Sequence, residues 1–205
     1  GDFMSAYDTL AAGDSVDIAI PAVGYLDWVV WQRAYLDEVI DGSHETRMQR
    51  QLKYWREALA DAPVLELPCD HVRPSVLSTR GAVAAIHVDA ATTKAFTMLC
   101  RTAAVTTMHG VLAVWSVLLC KHGGQADVVI GVPYANRDHD MVVGVIGYFI
   151  NTLAIRIKIG QDASARYLLP QVKQLMLDAL ENGSVSFVDV VQAVMPGDRD
   201  QSRTP

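Results

Sequence analysis

Histidine is the side chain that most often acts as a general base near neutral pH, and the chain contains six of them. None is followed by an aspartate four positions later, so an HxxxD acyl-transfer base is absent from these 205 residues. His109 lies in an apolar segment, which favours a buried structural histidine over a catalyst. His139 lies between Asp138 and Asp140 in a segment crowded with polar groups, where a solvated loop is the simpler interpretation.

Two segments place polar side chains within apolar, β-rich sequence. Residues 131–137 (GVPYANR) run from a predicted strand into Asn136 and Arg137, and residues 146–156 (IGYFINTLAIR) contain Asn151 and Thr152 at the start of another. A buried amide needs hydrogen-bond partners, so Asn151 either satisfies neighbouring backbone or contacts a ligand. Arg137 either forms a surface ion pair with a nearby aspartate or has a role in a site.

Other catalytic patterns are absent from the sequence, which has no GxSxG, HExxH or Walker motif. Gly123 and Gly124 precede a predicted strand, so they end a helix and do not cradle a phosphate. The three cysteines are far apart without CxxC spacing, which predicts no disulfide framework, no thiolate metal site and a reducing cytosol.

The composition describes a folded protein, with 51% hydrophobic and 20% charged residues. The formal net charge is −6 without a cluster of cations, so we expect no nucleic-acid partner. The N-terminal residues lack the basic and apolar regions of a signal peptide. The most apolar stretch, residues 108–120, is shorter than the roughly 20 residues of a membrane span, so we expect no membrane partner.

Helical spacing and breakers predict the elements that must position these residues. Helices are expected at residues 2–12, 25–40, 46–59, 89–103, 106–122, 163–180 and 187–194, with an extended connector at 63–74. Strands are expected at residues 81–88, 127–134 and 148–159, because apolar residues alternate there. Sheets usually have about five or six strands, so three strands among so many helices predict an α/β fold with an incomplete sheet.

These segments, in this order, resemble motifs of the condensation domain of nonribosomal peptide synthetases. Residues 25–31 (YLDWVVW) are similar to YxD(F/Y)AVW, and residues 131–137 to GxPxAxR. Residues 146–156 closely match (I/V)GxFVNTxxxR, and residues 199–205 (RDQSRTP) resemble RDxSRNP. One motif departs from the pattern: only Asn182, Val185 and Phe187 agree with (H/N)QDxPFE at residues 182–187.

The resemblance implies a chloramphenicol-acetyltransferase-like lobe, a mixed sheet covered by helices, of an enzyme that joins a carrier-bound donor to an aminoacyl acceptor. Its partners would be donor and acceptor carrier proteins bearing phosphopantetheine, with no bound cofactor or metal. The resemblance places Asn136, Arg137, Asn151 and Thr152 at a substrate tunnel. It gives motif roles in the structure to Tyr25, Asp27, Trp31, Arg156, Arg199, Asp200, Ser202 and Arg203.

The family's catalytic HHxxxDG motif is not in this sequence. We therefore expect a fragment without a catalytic residue of its own, inactive alone: residues 1–74 from the lobe junction and connector, and residues 75–205 from the C-terminal lobe. A missing N-terminal lobe would be its partner, and exposed apolar surface would favour homo-oligomers. The alternatives are a non-catalytic module that docks carrier proteins and, less well matched, an acyl-CoA-dependent acyltransferase of the same fold.

Overall fold

The computed structural model describes residues 2–16, 22–72, 74, 80–160 and 163–197. The chain divides into two compact units. Unit 1 comprises Gly1–Tyr35 and Arg137–Phe149, and unit 2 comprises Leu36–Asn136 and Ile150–Pro205. In chain order the elements are α1 (Asp2–Ala11), α2 (Tyr25–Asp37), α3 (Arg47–Ala58), α4 (Ala90–Thr102), α5 (Thr107–Gly123), β1 (Asp127–Tyr134), β2 (Asn151–Lys158), α6 (Ala165–Glu181) and α7 (Phe187–Val194).

Unit 1 has a small core in which helix α2 provides the largest side chain. Trp28 is buried and packs with three apolar side chains of the later segment, Val142, Val145 and Phe149. At the start of α2 the Asp27 carboxylate accepts a hydrogen bond from the backbone N–H of Gly24. An acidic side chain is stabilising there because the helix N-terminus carries partial positive charge.

Unit 2 contains the sheet and the main core. Strands β1 and β2 are antiparallel in one unbroken register, from Asp127 opposite Lys158 to Tyr134 opposite Asn151. Alternate residues point to opposite faces, and one face buries Val128, Val132, Leu153, Ile155 and Ile157. Helices α5 and α6 pack against the strands, α3 packs against α7, and α4 packs against α5.

Local sequence explains where the helices of unit 2 begin and end. Helices α3 and α5 each begin with a capping box, in which Thr46 pairs with Gln49 and Thr106 with His109. The predicted stop after α5 is confirmed, because Gly124 adopts the left-handed conformation with φ of 64°. Among the described residues no single helix is long and apolar enough to cross a membrane. Helices α4 and α5 reach that length and composition only when taken together, and the pair is bent by 106°.

The predicted third strand is wrong for the described residues. Residues 81–88 lie in no strand, and Val83 and Ile86 are 99% and 85% exposed. Alternating apolar residues fit a strand, but a strand also needs a partner for its backbone groups, and no described segment pairs with this one. The described sheet is therefore an antiparallel pair and smaller than the predicted mixed sheet.

Two predicted boundaries also shift. Helix α2 ends at Asp37 and not at residue 40, because Val39 forms a β-bridge with Thr46 in a tight turn. Strand β2 begins at Asn151 and not at Tyr148. The carbonyl oxygen of Tyr148 instead accepts a hydrogen bond from the Tyr25 hydroxyl in unit 1.

Candidate functional site

The end of the sheet in unit 2 brings together residues from two of the sequence motifs. Asn151 and Thr152 begin β2 and lie opposite Tyr134 and Pro133, the last residues of β1. Asn136 follows two residues after Tyr134; it is buried and has a positive φ of 52°, a conformation that asparagine tolerates better than most residues. Three of the four predicted tunnel residues therefore lie at or just beyond the same end of the strand pair.

The side-chain amide of Asn151 is bound to the backbone between α6 and α7. Its Nδ2 donates to the carbonyl oxygens of Gly183 (2.9 Å) and Val185 (2.8 Å), and its Oδ1 accepts from the N–H of Phe187 (3.0 Å). Both amide hydrogens are therefore used. Of the two alternatives, the structure supports bonding to backbone, but this backbone lies 32 to 36 residues further along the chain.

Two side chains of α3 bind the same stretch of backbone, residues 181–187, which we call the clamped loop. Gln51 accepts from the N–H of Val185 (2.9 Å) and donates to the carbonyl oxygen of Glu181 (3.4 Å). The indole Nε1 of Trp55 donates to the carbonyl oxygen of Asn182 (2.9 Å). Sequence reasoning missed Gln51, although its spacing of four residues from Trp55 on a helix was a usable signal.

Arg137 belongs to unit 1 and organises the residues that follow it. Its guanidinium donates to the carbonyl oxygens of Val142, Val143 (3.3 Å), Val145 (2.9 Å) and Gly147 (3.4 Å). The guanidinium carbon also lies 4.0 Å from the centre of the Phe149 ring, a cation–π contact. These contacts fold residues 138–149 around the cation, so the guanidinium of Arg137 orders the loop that follows it.

The other predicted residues of unit 1 form an aromatic cluster beside this loop. The Tyr25 ring meets Phe149 edge-on at 5.2 Å. Trp31 stacks on Tyr35 at 5.1 Å and meets the edge of the His139 ring at 4.8 Å. His139 is exposed, as expected for a solvated loop, but it also packs against tryptophan.

Arg156 ties β2 to the end of α3. It forms a bidentate ion pair with Asp127 (3.0 and 2.7 Å) and donates to the carbonyl oxygens of Ala58, Ala60 and Asp61. The bond to the Asp127 carboxylate raises the pKa of Arg156 above its already high ordinary value. A cation is favourable at the end of α3 because helix C-termini carry partial negative charge.

A small cleft lies beside Arg156 in unit 2. Arg156 lines it together with the polar residues Tyr54, Lys158 and Gln171, and its volume is about 190 Å³. Burial and the charge of Asp178 raise the pKa of the Tyr54 hydroxyl to about 12, so that hydroxyl remains protonated near neutral pH. It therefore lacks the ionised form that a base would need.

The described residues contain no group of three or more His, Cys, Asp or Glu that could hold a metal ion. The Nδ1 atom of His109 accepts a hydrogen bond from the N–H of Thr106 in the cap of α5, which is a structural role, but the side chain is half-buried and not buried as predicted. The last four predicted motif residues, Arg199, Asp200, Ser202 and Arg203, lie outside the described residues.

Comparisons with known proteins show which proteins this chain is similar to. A family model described as Condensation domain matches residues 1–205. The chain is 38% identical over 205 residues to Malpinin synthetase of Mortierella alpina, which covers 100% of this chain and 2% of that protein.

Two solved structures extend the comparison to the fold. One is the holo form of AB3403, a four-domain nonribosomal peptide synthetase bound to AMP and glycine, with a TM-score of 0.80, 28% identity and coverage of 93% of this chain and 14% of that one. The other is the complex of the X-domain and OxyB from teicoplanin biosynthesis, with a TM-score of 0.86, 23% identity and coverage of 100% and 46%. The latter identity shows the fold alone. These likenesses confirm the predicted α/β, chloramphenicol-acetyltransferase-like fold class, and the chain spans less than half of each protein.

Proposed function

The chain belongs to the condensation-domain family of nonribosomal peptide synthetases, and we propose that it lines the substrate passage of such a domain. The general role of this family is amide-bond formation in peptide synthesis. The observation that carries the proposal is the saturation of Asn151 by loop backbone, in the strand that most closely matches a family motif. Because its amide is fully bonded to the loop, Asn151 would help to form the wall of the substrate passage and would not react with the substrates itself.

In the proposed reaction the amine of a carrier-bound aminoacyl acceptor attacks the thioester carbonyl of a carrier-bound donor. The new C–N bond forms and the C–S bond breaks. The proton that the amine loses is taken up by the leaving thiolate, which gives a free thiol on the donor's pantetheine arm. No enzyme nucleophile is needed, because the amine is itself the attacking group. The contribution of this chain is orientation of the two arms and exclusion of competing water.

We assign the four tunnel candidates to two groups. Asn151, Thr152 and Asn136 shape the end of the strand pair in unit 2, and Arg137 orders residues 138–149 in unit 1. Residues 1–74 would belong to the lobe junction and residues 75–205 to the C-terminal lobe. A histidine of the HHxxxDG type would come from outside these 205 residues, in an N-terminal lobe.

The isolated chain would associate through exposed apolar surface, and a monomer at every concentration in light scattering would contradict that association.

The direct test is condensation between loaded carriers. The 205-residue chain is incubated with aminoacyl-loaded donor and acceptor carrier proteins, beside the longer synthetase that contains it, and dipeptide is measured by mass spectrometry. We expect product from the synthetase and none from the chain alone. Robust turnover by the chain alone would overturn the assignment of the catalytic histidine to another segment, and no product from the synthetase would overturn the enzymatic role.

A non-catalytic docking module is the second candidate function. The solved complex of the X-domain with OxyB describes a protein of this fold bound to another protein. The coding sequence upstream of Gly1 distinguishes the two candidates, because an intact HHxxxDG motif favours the enzyme and a degenerate one favours the docking module. Carrier binding without dipeptide formation in the full synthetase would be the corresponding biochemical result.

A further inference from the structure

We propose that Gln51 and Trp55 are positioning residues for condensation, acting with Asn151 through the backbone of the clamped loop. This inference rests on the proposed function, because it requires the end of the strand pair to face the substrates. Three side chains from two elements make six hydrogen bonds to residues 181–187. The backbone of this loop is therefore held from outside the loop.

Burial shows that the two helix residues are held firmly. Trp55 is 2% exposed and Gln51 is 7% exposed, one of three buried polar residues among those described. A buried amide without partners is destabilising, so an apolar side chain would be the simpler choice at position 51 if only packing mattered. Both the oxygen and the nitrogen of the Gln51 side-chain amide bond to the loop, which explains why a polar residue is buried at this position.

The loop is also confined on its other sides. A Cβ atom at Gly183 would lie 3.1 Å from a methyl carbon of Leu153 and 3.2 Å from the carbonyl oxygens of Ala179 and Leu180, which is tighter than normal packing. Ser186 accepts the N–H of Asp189 and caps α7. The loop backbone thus has little freedom, although its side chains depart from the family pattern.

Under the proposed function, a substrate at the end of β2 would meet the clamped loop and not the Asn151 amide. The Asn151 amide has no N–H left to donate, so the clamped loop itself is what Asn151 contributes to the passage. Gln51 and Trp55 set the position of the same loop from α3. Binding sites are held most precisely when a rigid scaffold positions the loop that meets the ligand.

The experiment compares the variants Gln51→Leu and Trp55→Phe in the full synthetase that contains the chain. Leucine is close to glutamine in size and phenylalanine keeps an aromatic ring at position 55, and each substitution removes hydrogen bonds to the loop. We expect kcat per folded molecule to fall about tenfold for Gln51→Leu and about threefold for Trp55→Phe, because one loses two bonds and the other loses one. The KM for the acceptor carrier is expected to stay unchanged. Gln51→Glu, which retains the acceptor for Val185, should recover part of the loss.

Hydrogen exchange on the same proteins separates positioning from simple loss of folded protein. Amides of residues 181–187 should exchange faster in both variants, while those of β1 keep their protection. The matched control is Gln174→Leu, because Gln174 is exposed on α6 and bonds only to the Asp178 carboxylate among the contacts described.

Two results would overturn the inference. The first is a kcat per folded molecule that equals the wild-type value in both variants although the loop exchanges faster, because the position of the loop would then not affect the reaction. Unchanged exchange would show that the loop does not depend on α3. If Gln51→Leu does not fold, Trp55→Phe decides both points. A wild-type synthetase that forms no dipeptide overturns the proposed function itself, which is a different result from an active wild type with unaffected variants.

Discussion

Residues 138–149 in unit 1 and the clamped loop in unit 2 are both held by side chains bonded to backbone, but from different distances along the chain. Arg137 precedes its loop and reaches carbonyl oxygens five to ten residues later. Asn151 reaches the clamped loop across 32 to 36 residues, and the α3 side chains reach it across 127 to 134. One loop is closed locally, and the other is closed by the tertiary fold.

The difference bears on how each loop opens. A contact between near neighbours closes a short loop at small entropic cost, so the bonds of Arg137 can break and reform locally. The clamped loop depends on Trp55 in the core and on Asn151 in the sheet, so we expect it to open only when packing in unit 2 is lost. Long-range hydrogen bonds should therefore have larger effects on stability than local ones.

Asn151→Leu is expected to show the largest effect. The change leaves the N–H of Phe187 and two carbonyl oxygens without their partner, which should lower the free energy of unfolding by about 3 kcal/mol. Chemical denaturation measures the change, with Thr152→Val as the neighbouring control. A loss below about 1 kcal/mol would mean that water replaces the amide and that the long-range bonds are not dominant.

Gly147→Ala tests packing in the locally closed loop. A Cβ at this position would lie 2.3 Å from a ring carbon of Tyr25, so the ring must move and its bond to Tyr148 should weaken. We expect a loss of about 2 kcal/mol, measured by thermal unfolding. Gly144→Ala is the matched control, because nothing lies within 4 Å of its Cβ position. Equal effects of the two substitutions would contradict the steric explanation.

Arg137→Met should have a smaller effect than Asn151→Leu, although it removes more hydrogen bonds. Two of the carbonyl oxygens it releases, those of Val143 and Gly147, lie in exposed backbone and can bind water, so we expect a loss of about 1 kcal/mol. Hydrogen exchange should quicken within residues 138–149 and remain unchanged in β1 and β2. A loss equal to that of Asn151→Leu would break the comparison between local and long-range closure.

His109→Gln tests the shortest-range bond and should have the smallest effect. Burial and the charge of Lys173 lower the pKa of His109 from 6.5, so between the lowered value and 6.5 the unfolded chain binds more protons. The contribution of His109 is therefore complete above pH 6.5 and is lost as the pH falls towards the folded pKa.

Glutamine at position 109 should keep the cap, as Gln49 does in α3, and remove this pH dependence. The change in stability at pH 8 should stay below about 1 kcal/mol. Urea denaturation at several pH values measures both quantities. A variant that loses stability below pH 6.5 as the wild type does would show that another group titrates.

Sequence reasoning recovered most elements because their signals are local. The bounds of β1 and α7 were predicted as they occur. The strand predicted at residues 81–88 failed because alternation describes one segment, whereas pairing requires a second. The candidate residue Asn151 was found as a polar residue in an apolar strand, but its partners could not be, since nothing local links it to Val185.

The order of residues alone determined the helices, their caps, the strand pair and the family motifs, because each depends on side chains a few positions apart. Only the tertiary structure decided that Gln51 and Trp55 bind residues 181–187, and that Arg137 lies in one unit and Asn151 in the other. Those outcomes depend on contacts across long stretches of chain, which form only when a shared core brings distant segments together.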